Sequence, residues 1–374
     1  MIRLLIADDS ALMRKLLEGI FLEEGDFDIR LARNGNEALE LVRTFDPQVV
    51  TLDVQMPGMD GLACLSQIML EAPRPVVMIS SLTAAGAETT LEAIELGAVD
   101  FIAKPRGAVS LEIDRLRPEL VEKVRAAASA RIRRTLRLTE RVRQRIKGAG
   151  SVARSVPRRV KLTPAARTGP GTVKVINGSP PGLVLIGTST GGPAALDTVL
   201  PQLPPDFPWP VLVAQHLPGS FTGPFARRLD RECQLDVVEV DRPMPLTPGA
   251  IYIGKGDADV MVASRASGLV AMPVPAKASF MWHPSVERMV ASALEHLDAS
   301  RLIGVMMTGM GYDGAEAMKR LRLGGGHTVA EAESSAIVWG MPGELVKNGG
   351  AELVRPLDEI ADTIIELVGS HASS

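Results

Sequence analysis

Asp8, Asp9, Asp53, Ser80 and Lys104 are residue types that together could handle a phosphoryl group. Three carboxylates held at one place repel one another unless they share a hard divalent cation, and Mg²⁺ with its oxygen ligands suits them. Asp53 could then form an acyl phosphate, while the cation and Lys104 neutralise the incoming group and Ser80 hydrogen-bonds one of its oxygens. Taken singly, each Asp or Ser reads equally well as a helix cap. A second chemistry lies past the midpoint, where Ser189 stands in Gly187-Thr188-Ser189-Thr190-Gly191-Gly192. An apolar run, a glycine-flanked serine and a helical stretch form the setting of a nucleophile elbow, and the helix start adds free N–H donors for negative charge. The competing reading is an anion-binding loop, although the spacing of a dinucleotide loop is absent and no lysine follows the glycines.

A serine hydroxyl needs a base, and a strand-end histidine is the natural one. His216 closes the apolar run Val211-Leu212-Val213-Ala214-Gln215, so it should reach the sheet edge that carries Ser189. Of the other histidines, His283 reads as a rim or cap residue before a helix, His296 falls within a helix, His327 follows a glycine run and His371 lies in the tail. The base needs an orienting carboxylate, and Asp313 follows a third strand, Leu302 to Met307, in Thr308-Gly309-Met310-Gly311-Tyr312-Asp313-Gly314. Its bland reading is a cap on the helix that follows. The order Ser, His, Asp differs from that of α/β-hydrolases and argues for a separate fold.

The elements that must position these residues follow from periodicity. Strands are expected at Arg3 to Ala7, Asp28 to Ala32, Gln48 to Leu52, Pro75 to Ile79 and Val99 to Ala103. Helices are expected at Ala11 to Glu24, Asn36 to Phe45, Leu62 to Glu71, Ala87 to Leu96 and from Leu111 to about Ile146. The alternation implies an α/β fold with a parallel sheet, whose chemistry gathers at the carboxyl ends of the strands. A similar doubly wound, mostly parallel domain is expected around Ser189, His216 and Asp313.

The chain has 374 residues, 46% of them hydrophobic and 23% charged, which is enough for two cores, and its net charge of -3 gives no general pull toward nucleic acid or membrane. Cys64 and Cys233 have no metal-ligand spacing and make no disulfide framework, so a reducing cytoplasm fits. No apolar run reaches the roughly 18 residues of a membrane span. From Glu122 to Lys161 the sequence holds fourteen Lys or Arg against two Glu, followed by a Pro-, Gly- and Thr-rich run to Gly182. No aromatic residues interleave these charges and no recognition helix follows, so the stretch reads as a solvated helix face and a flexible linker rather than a nucleic-acid site. The division expected is 1–120, 121–180 and 181–370.

Residues 1 to about 120 resemble a response-regulator receiver domain with a flavodoxin-like, five-stranded sheet. That resemblance implies Asp53 as phosphoacceptor, Asp8 and Asp9 as Mg²⁺ ligands with it, Ser80 and Lys104 as the switch pair, and Phe101 as the aromatic that repacks on phosphorylation. Gln55, where many such receivers carry Glu, is a mild departure. The second half resembles the catalytic domain of CheB-type protein-glutamate methylesterases. The motifs are Gln215-His216-Leu217-Pro218, Phe221-Thr222, Pro248 to Ile253, His283-Pro284-Ser285-Val286, Thr308 to Gly314 and Gly340-Met341-Pro342.

The second resemblance implies Ser189 as nucleophile, His216 as general base, Asp313 as its orienter, Thr190 as a hydroxyl positioning the histidine and Met310 as backbone donor to the oxyanion. It implies hydrolysis of glutamate γ-methyl esters on chemoreceptor helices, with no metal needed for ester hydrolysis, and glutamine deamidation as a second activity. A CheA-type histidine kinase would be the phosphodonor, and the resting receiver would cover the cleft. Tyr312 and Met281-Trp282-His283 depart from the family's usual residues where a substrate helix could pass. Two other classes are a phosphorylation-dependent binding protein with a vestigial esterase site and a receiver-linked transcription factor, which the alternating strands and helices of the second half disfavour.

Overall fold

In the computed structural model the described residues are 1–80, 83–104, 109–130, 182–266 and 268–371, without the side chains of 84–85, 109–116 and 371. Strands β1 (Ile2–Ala7), β2 (Phe27–Ala32), β3 (Val49–Asp53), β4 (Val76–Ser80) and β5 (Asp100–Ala103) form one sheet in the order β2-β1-β3-β4-β5. All four pairings are parallel. β3 and β4 are buried along their whole length, which is why their sequences are continuous apolar runs and not alternating ones. Helices α1 (Ala11–Glu24), α2 (Gly35–Thr44), α3 (Gly61–Glu71), α4 (Ala84–Glu95) and α5 (Val109–Ala128) connect and cover them.

The caps of the first four helices are Ser10, Asn34, Asp60 and Thr83, each accepting a backbone N–H from the first turn. None of Asp8, Asp9, Asp53 or Ser80 serves as one of these caps. The expected helix to Ile146 is corrected: α5 stops at Ala128, where the Ser129 hydroxyl and the N–H groups of Ser129 and Ala130 turn back onto Ala126 and Ala127 carbonyls. The rest of the basic stretch and the linker lie outside the described residues.

The second unit is built on seven strands: β6 (Leu183–Thr188), β7 (Val211–Gln215), β8 (Asp236–Val240), β10 (Ala250–Gly254), β13 (Leu302–Met306), β14 (His327–Glu331) and β15 (Leu353–Arg355). Their order is β15-β14-β13-β6-β7-β10-β8, with every neighbouring pair parallel. The chain winds outward from β6 through β7, then restarts on the other side with β13, so the winding reverses between β6 and β13. Such a reversal opens a crevice at the strands' carboxyl ends. A small antiparallel sheet, β11 (Ala258–Arg265), β12 (Gly268–Pro275) and β9 (Met244–Pro245), was not expected. Its hairpin carries the buried Asp259.

The covering helices are α6 (Gly192–Val199), α7 (Gly219–Glu232), α8 (Val286–Leu294), α9 (Ala315–Leu323), α10 (Met341–Lys347) and α11 (Leu357–His371). The two units share buried apolar surface, since one cluster runs from Leu91 and Ile94 of α4 and Phe101 of β5 to Phe221 and Phe225 of α7. No helix among the described residues is long and apolar enough to cross a membrane.

Candidate active site

Residues from β6, β7 and the turn after β13 meet at the winding reversal. In the β6–β7 register Thr188 lies opposite Gln215, so Ser189 and His216 leave adjacent parallel strands one residue later. Buried Gln215 ties the two exits together, its Nε2 donating to the carbonyls of Ser189 (3.0 Å) and His216 (3.1 Å) while its Oε1 accepts from Thr188 Oγ1. Gly192 has no alternative in this place, because a Cβ there would collide with Gln215 Oε1. Ser189 N–H donates to the Thr308 carbonyl at 3.0 Å, which brings the 308–313 turn against the serine.

Asp313 is buried and fully used. Its Oδ1 accepts from Ser285 Oγ (3.0 Å) and Glu287 N (3.1 Å), and its Oδ2 accepts from Val286 N (2.6 Å) and lies 3.0 Å from His216 Nε2. The capping reading was therefore half right. Asp313 does cap a helix, but it is α8, not the α9 that follows it in sequence. A carboxylate can only accept, so the Nε2 of His216 carries the proton and Nδ1 holds the free lone pair. Nδ1 is buried without a hydrogen-bond partner, so the Ser189 hydroxyl is not bonded to it.

Thr190 corrects an expectation. Its hydroxyl does not touch His216; it donates to Asp100 Oδ2 of the receiver at 2.5 Å. The adjacent Gly191 N–H donates to the Val99 carbonyl at 3.1 Å, and Phe101 stacks on Phe221 with centroids 4.2 Å apart. β5 and the residue before it thus seize the turn that carries Ser189. Farther along, Arg228 of α7 holds Asp197 through both carboxylate oxygens and reaches Glu95 of α4 at 2.8 Å. The 308–313 turn places Met310 beside the site, and its N–H has no acceptor among the described residues. His283 pairs with Asp259 (2.8 Å) and His327 with Glu352 (2.9 Å), while His296 lies past the end of α8 rather than inside a helix.

At the other site, ligand atoms of Asp8, Asp9 and Asp53 lie within 4.8 Å of one another. Lys104 Nζ stands 2.6 Å from Asp53 Oδ2 and 3.0 Å from Asp8 Oδ2. Burial raises the Asp53 carboxyl above its ordinary pKa despite the lysine. Burial opposes the Lys104 charge too, but the Asp53 and Asp8 carboxylates outweigh it and hold the ammonium above its ordinary pKa. Three hard oxygen donors at this spacing fit Mg²⁺. Neither cysteine competes as a nucleophile: both are buried, and burial pushes the Cys64 thiol up to about 12.

A family model described as CheB methylesterase matches residues 184–364, and one described as response regulator receiver domain matches residues 4–113. Over 373 residues the chain is 67% identical to protein-glutamate methylesterase/protein-glutamine glutaminase 2 of Rhodopseudomonas palustris, covering 100% of both chains. The chain belongs to the CheB methylesterase family. Another member, protein-glutamate methylesterase/protein-glutamine glutaminase 3 of Rhodospirillum rubrum, is 54% identical over 361 residues, covering 96% of this chain and 95% of that one. The crystal structure of the Thermotoga maritima CheB methylesterase catalytic domain is 34% identical with a TM-score of 0.48, covering 50% of this chain and 98% of that one.

Sequence reasoning missed several residues that hold the site. Gln215, Ser285 and Asp259 are buried polar groups whose partners come from other strands and turns. Such residues are visible in sequence only as polar interruptions of apolar stretches.

Proposed function

We propose that this CheB-family chain is a protein-glutamate methylesterase that also deamidates receptor glutamines, restrained by its own receiver and released by phosphorylation at Asp53. The observation that carries this is the Asp313–His216 pair beside Ser189, on a turn whose next two residues are bonded to Asp100 and Val99 of the receiver. Ser189 Oγ attacks the ester carbonyl and gives its proton to His216 Nδ1, whose imidazolium Asp313 stabilises. The Met310 N–H and the α6 N-terminus face the developing oxyanion. Collapse expels methoxide, which leaves as methanol with the proton from His216. Water then attacks the acyl-enzyme by the same steps and frees the glutamate. An amide takes the same route with ammonia leaving.

In the receiver, Asp8, Asp9 and Asp53 would hold Mg²⁺, which supplies charge neutralisation at the incoming phosphoryl group. Lys104 neutralises it from the other side and the Ser80 hydroxyl donates a hydrogen bond to one of its oxygens. The phosphodonor is a histidine kinase of the CheA type, the substrate a chemoreceptor's cytoplasmic helices, and the compartment the cytoplasm. Phe101 is the aromatic on β5 whose repacking would break its stack on Phe221. The division into 1–120, 121–180 and 181–370 accompanies this reading. A binding protein with a vestigial site is disfavoured by the intact Ser189, His216 and Asp313.

The test is methanol release from methylated receptor by the full chain, with and without Mg²⁺ and a small-molecule phosphodonor. Release that rises with the phosphodonor supports the reading, and no release under any condition sinks it. In the same assay Asp53→Asn is expected to lose the phosphodonor response, since a carboxamide forms no acyl phosphate. Glu95→Ala removes the receiver's charge partner for Arg228 but leaves the Arg228–Asp197 pair. Because Glu95 is partly exposed, roughly 1 kcal/mol of closed-state stability is at stake, so unstimulated turnover should rise about fivefold. Unaltered turnover in Glu95→Ala would mean that the α4–α7 contact does not restrain the enzyme.

A further inference from the structure

Among the described residues, two of the seven large hydrophobic side chains left exposed flank the candidate active site: Met281, 66% exposed, and Tyr312, 63% exposed, both with the receiver in place. Between them stands Trp282. Its indole lies parallel to the His216 imidazole, 4° apart in plane with centroids 6.0 Å apart, and the Tyr312 ring meets it edge-on at 5.1 Å. The wall is fixed from behind. Gly311 adopts φ +82 and a Cβ on it would lie 2.5 Å from the indole, so the 308–313 turn presses its backbone onto Trp282. The neighbouring segment is anchored by buried Asp259, which accepts from His283 Nδ1 (2.8 Å) and Ser285 N (2.7 Å).

Tyr312 also lines a hollow of about 480 Å³ with Trp339, Gly340 and Val346, and Glu344 and Lys347 stand on the same lining. The hollow adjoins the Met310 turn, because Gly311 of that turn lines it and Gly340 on its other side donates its N–H to the Gly309 carbonyl at 3.0 Å. Tyr312 therefore joins two surfaces: the indole that shields the base and a cavity that opens beside the expected oxyanion donor. Exposed apolar surface at the rim of a reactive site marks recognition.

We propose that Tyr312, with Met281 and Trp282, is the specificity-determining rim of the esterase, and that it takes an apolar side chain one helical turn from the esterified glutamate. Residues three or four apart on a helix lie about 5–6 Å from one another, so a helix that seats its ester on Ser189 presents such a neighbour to the rim. The substrate class is thus a helix carrying the glutamate ester beside an aliphatic or aromatic residue. A charged residue in that place would lose its hydration against Tyr312 and be rejected. This inference rests on the methylesterase reading above.

The test compares kcat/KM for a methylated receptor fragment with that for N-acetylglutamate γ-methyl ester amide, which lacks the neighbour, in the full chain and in Tyr312→Ala and Tyr312→Phe. The ratio of receptor to small ester is expected to fall roughly five- to thirtyfold in Tyr312→Ala, chiefly through KM, and to be recovered in Tyr312→Phe, which keeps the ring. Equal losses on both substrates, or no loss on either, would overturn the rim. If the unaltered chain releases methanol from neither substrate, the methylesterase reading fails instead, and that outcome is separable because it appears without any substitution at Tyr312.

Discussion

Ser189→Ala is expected to lower methanol release from methylated receptor by at least about 10⁴-fold, measured in the presence of phosphodonor so that the receiver is released. Only Oγ is lost, and the neighbouring hydroxyls held within the catalytic unit stay engaged when the receiver leaves, Thr188 Oγ1 donating to Gln215 Oε1 and Thr308 Oγ1 to the Thr190 carbonyl. The same inventory says the fold should survive. Gln215 holds the Ser189 carbonyl and Thr308 accepts from the Ser189 N–H, and both contacts are main-chain ones that alanine retains. A melting temperature within a few degrees of the parent, together with lost turnover, is the expected pair. Turnover that persists in Ser189→Ala would place the nucleophile elsewhere.

Asp313→Asn is expected to cost roughly 10⁴-fold in kcat through a different route, the tautomer of His216. The asparagine carbonyl can keep the Ser285 hydroxyl and Glu287 N–H that Oδ1 now accepts. Its amide then points at His216 Nε2 and donates, which forces the ring proton onto Nδ1, the nitrogen meant to take the serine proton. The amide also confronts the Val286 N–H that Oδ2 now accepts at 2.6 Å, donor against donor. Some stability loss, on the order of 1–3 kcal/mol from the unsatisfied cap, should accompany the kinetic one. Asp313→Ala separates the two effects, because it loses the cap without imposing the wrong tautomer. If Asp313→Asn were as active as the parent, Asp313 would be a cap and nothing more.

Much of the receiver was legible because its signals are local. α1 runs from Ala11 to Glu24 as its periodicity requires, and β3 and β4 appear as short, mostly apolar runs. The placement of Ser189, His216 and Asp313 near one sheet edge was also legible, since each follows a buried strand. What escaped depends on distance in sequence. Asp313 caps α8 because Ser285 to Glu287 arrive from another crossover, and the β11–β12 hairpin needs its partner to be seen. The end of α5 at Ala128 could not be read from charge, because arginine favours helix without locating where it ends. Thr190 was misread for the most physical reason: a hydroxyl goes to the acceptor present, and with the receiver seated that acceptor is the Asp100 carboxylate.

The shared hydrogen bond between Thr190 and Asp100 makes the turn a meeting place of two equilibria. On the function proposed above, a receptor helix that draws Thr190 and Gly191 toward the arrangement Ser189 needs would pull them from Asp100 and Val99, and an acyl phosphate on Asp53 that loosened β5 would make that easier. Linkage of this kind runs equally in both directions. At equilibrium with the phosphodonor, a tenfold gain in receptor affinity on phosphorylation would oblige a tenfold shift toward the phosphorylated form when receptor binds. Receptors rich in esters would then act as effectors of the signalling state as well as its targets, drawing phosphoryl groups onto Asp53 in proportion to the work waiting at Ser189.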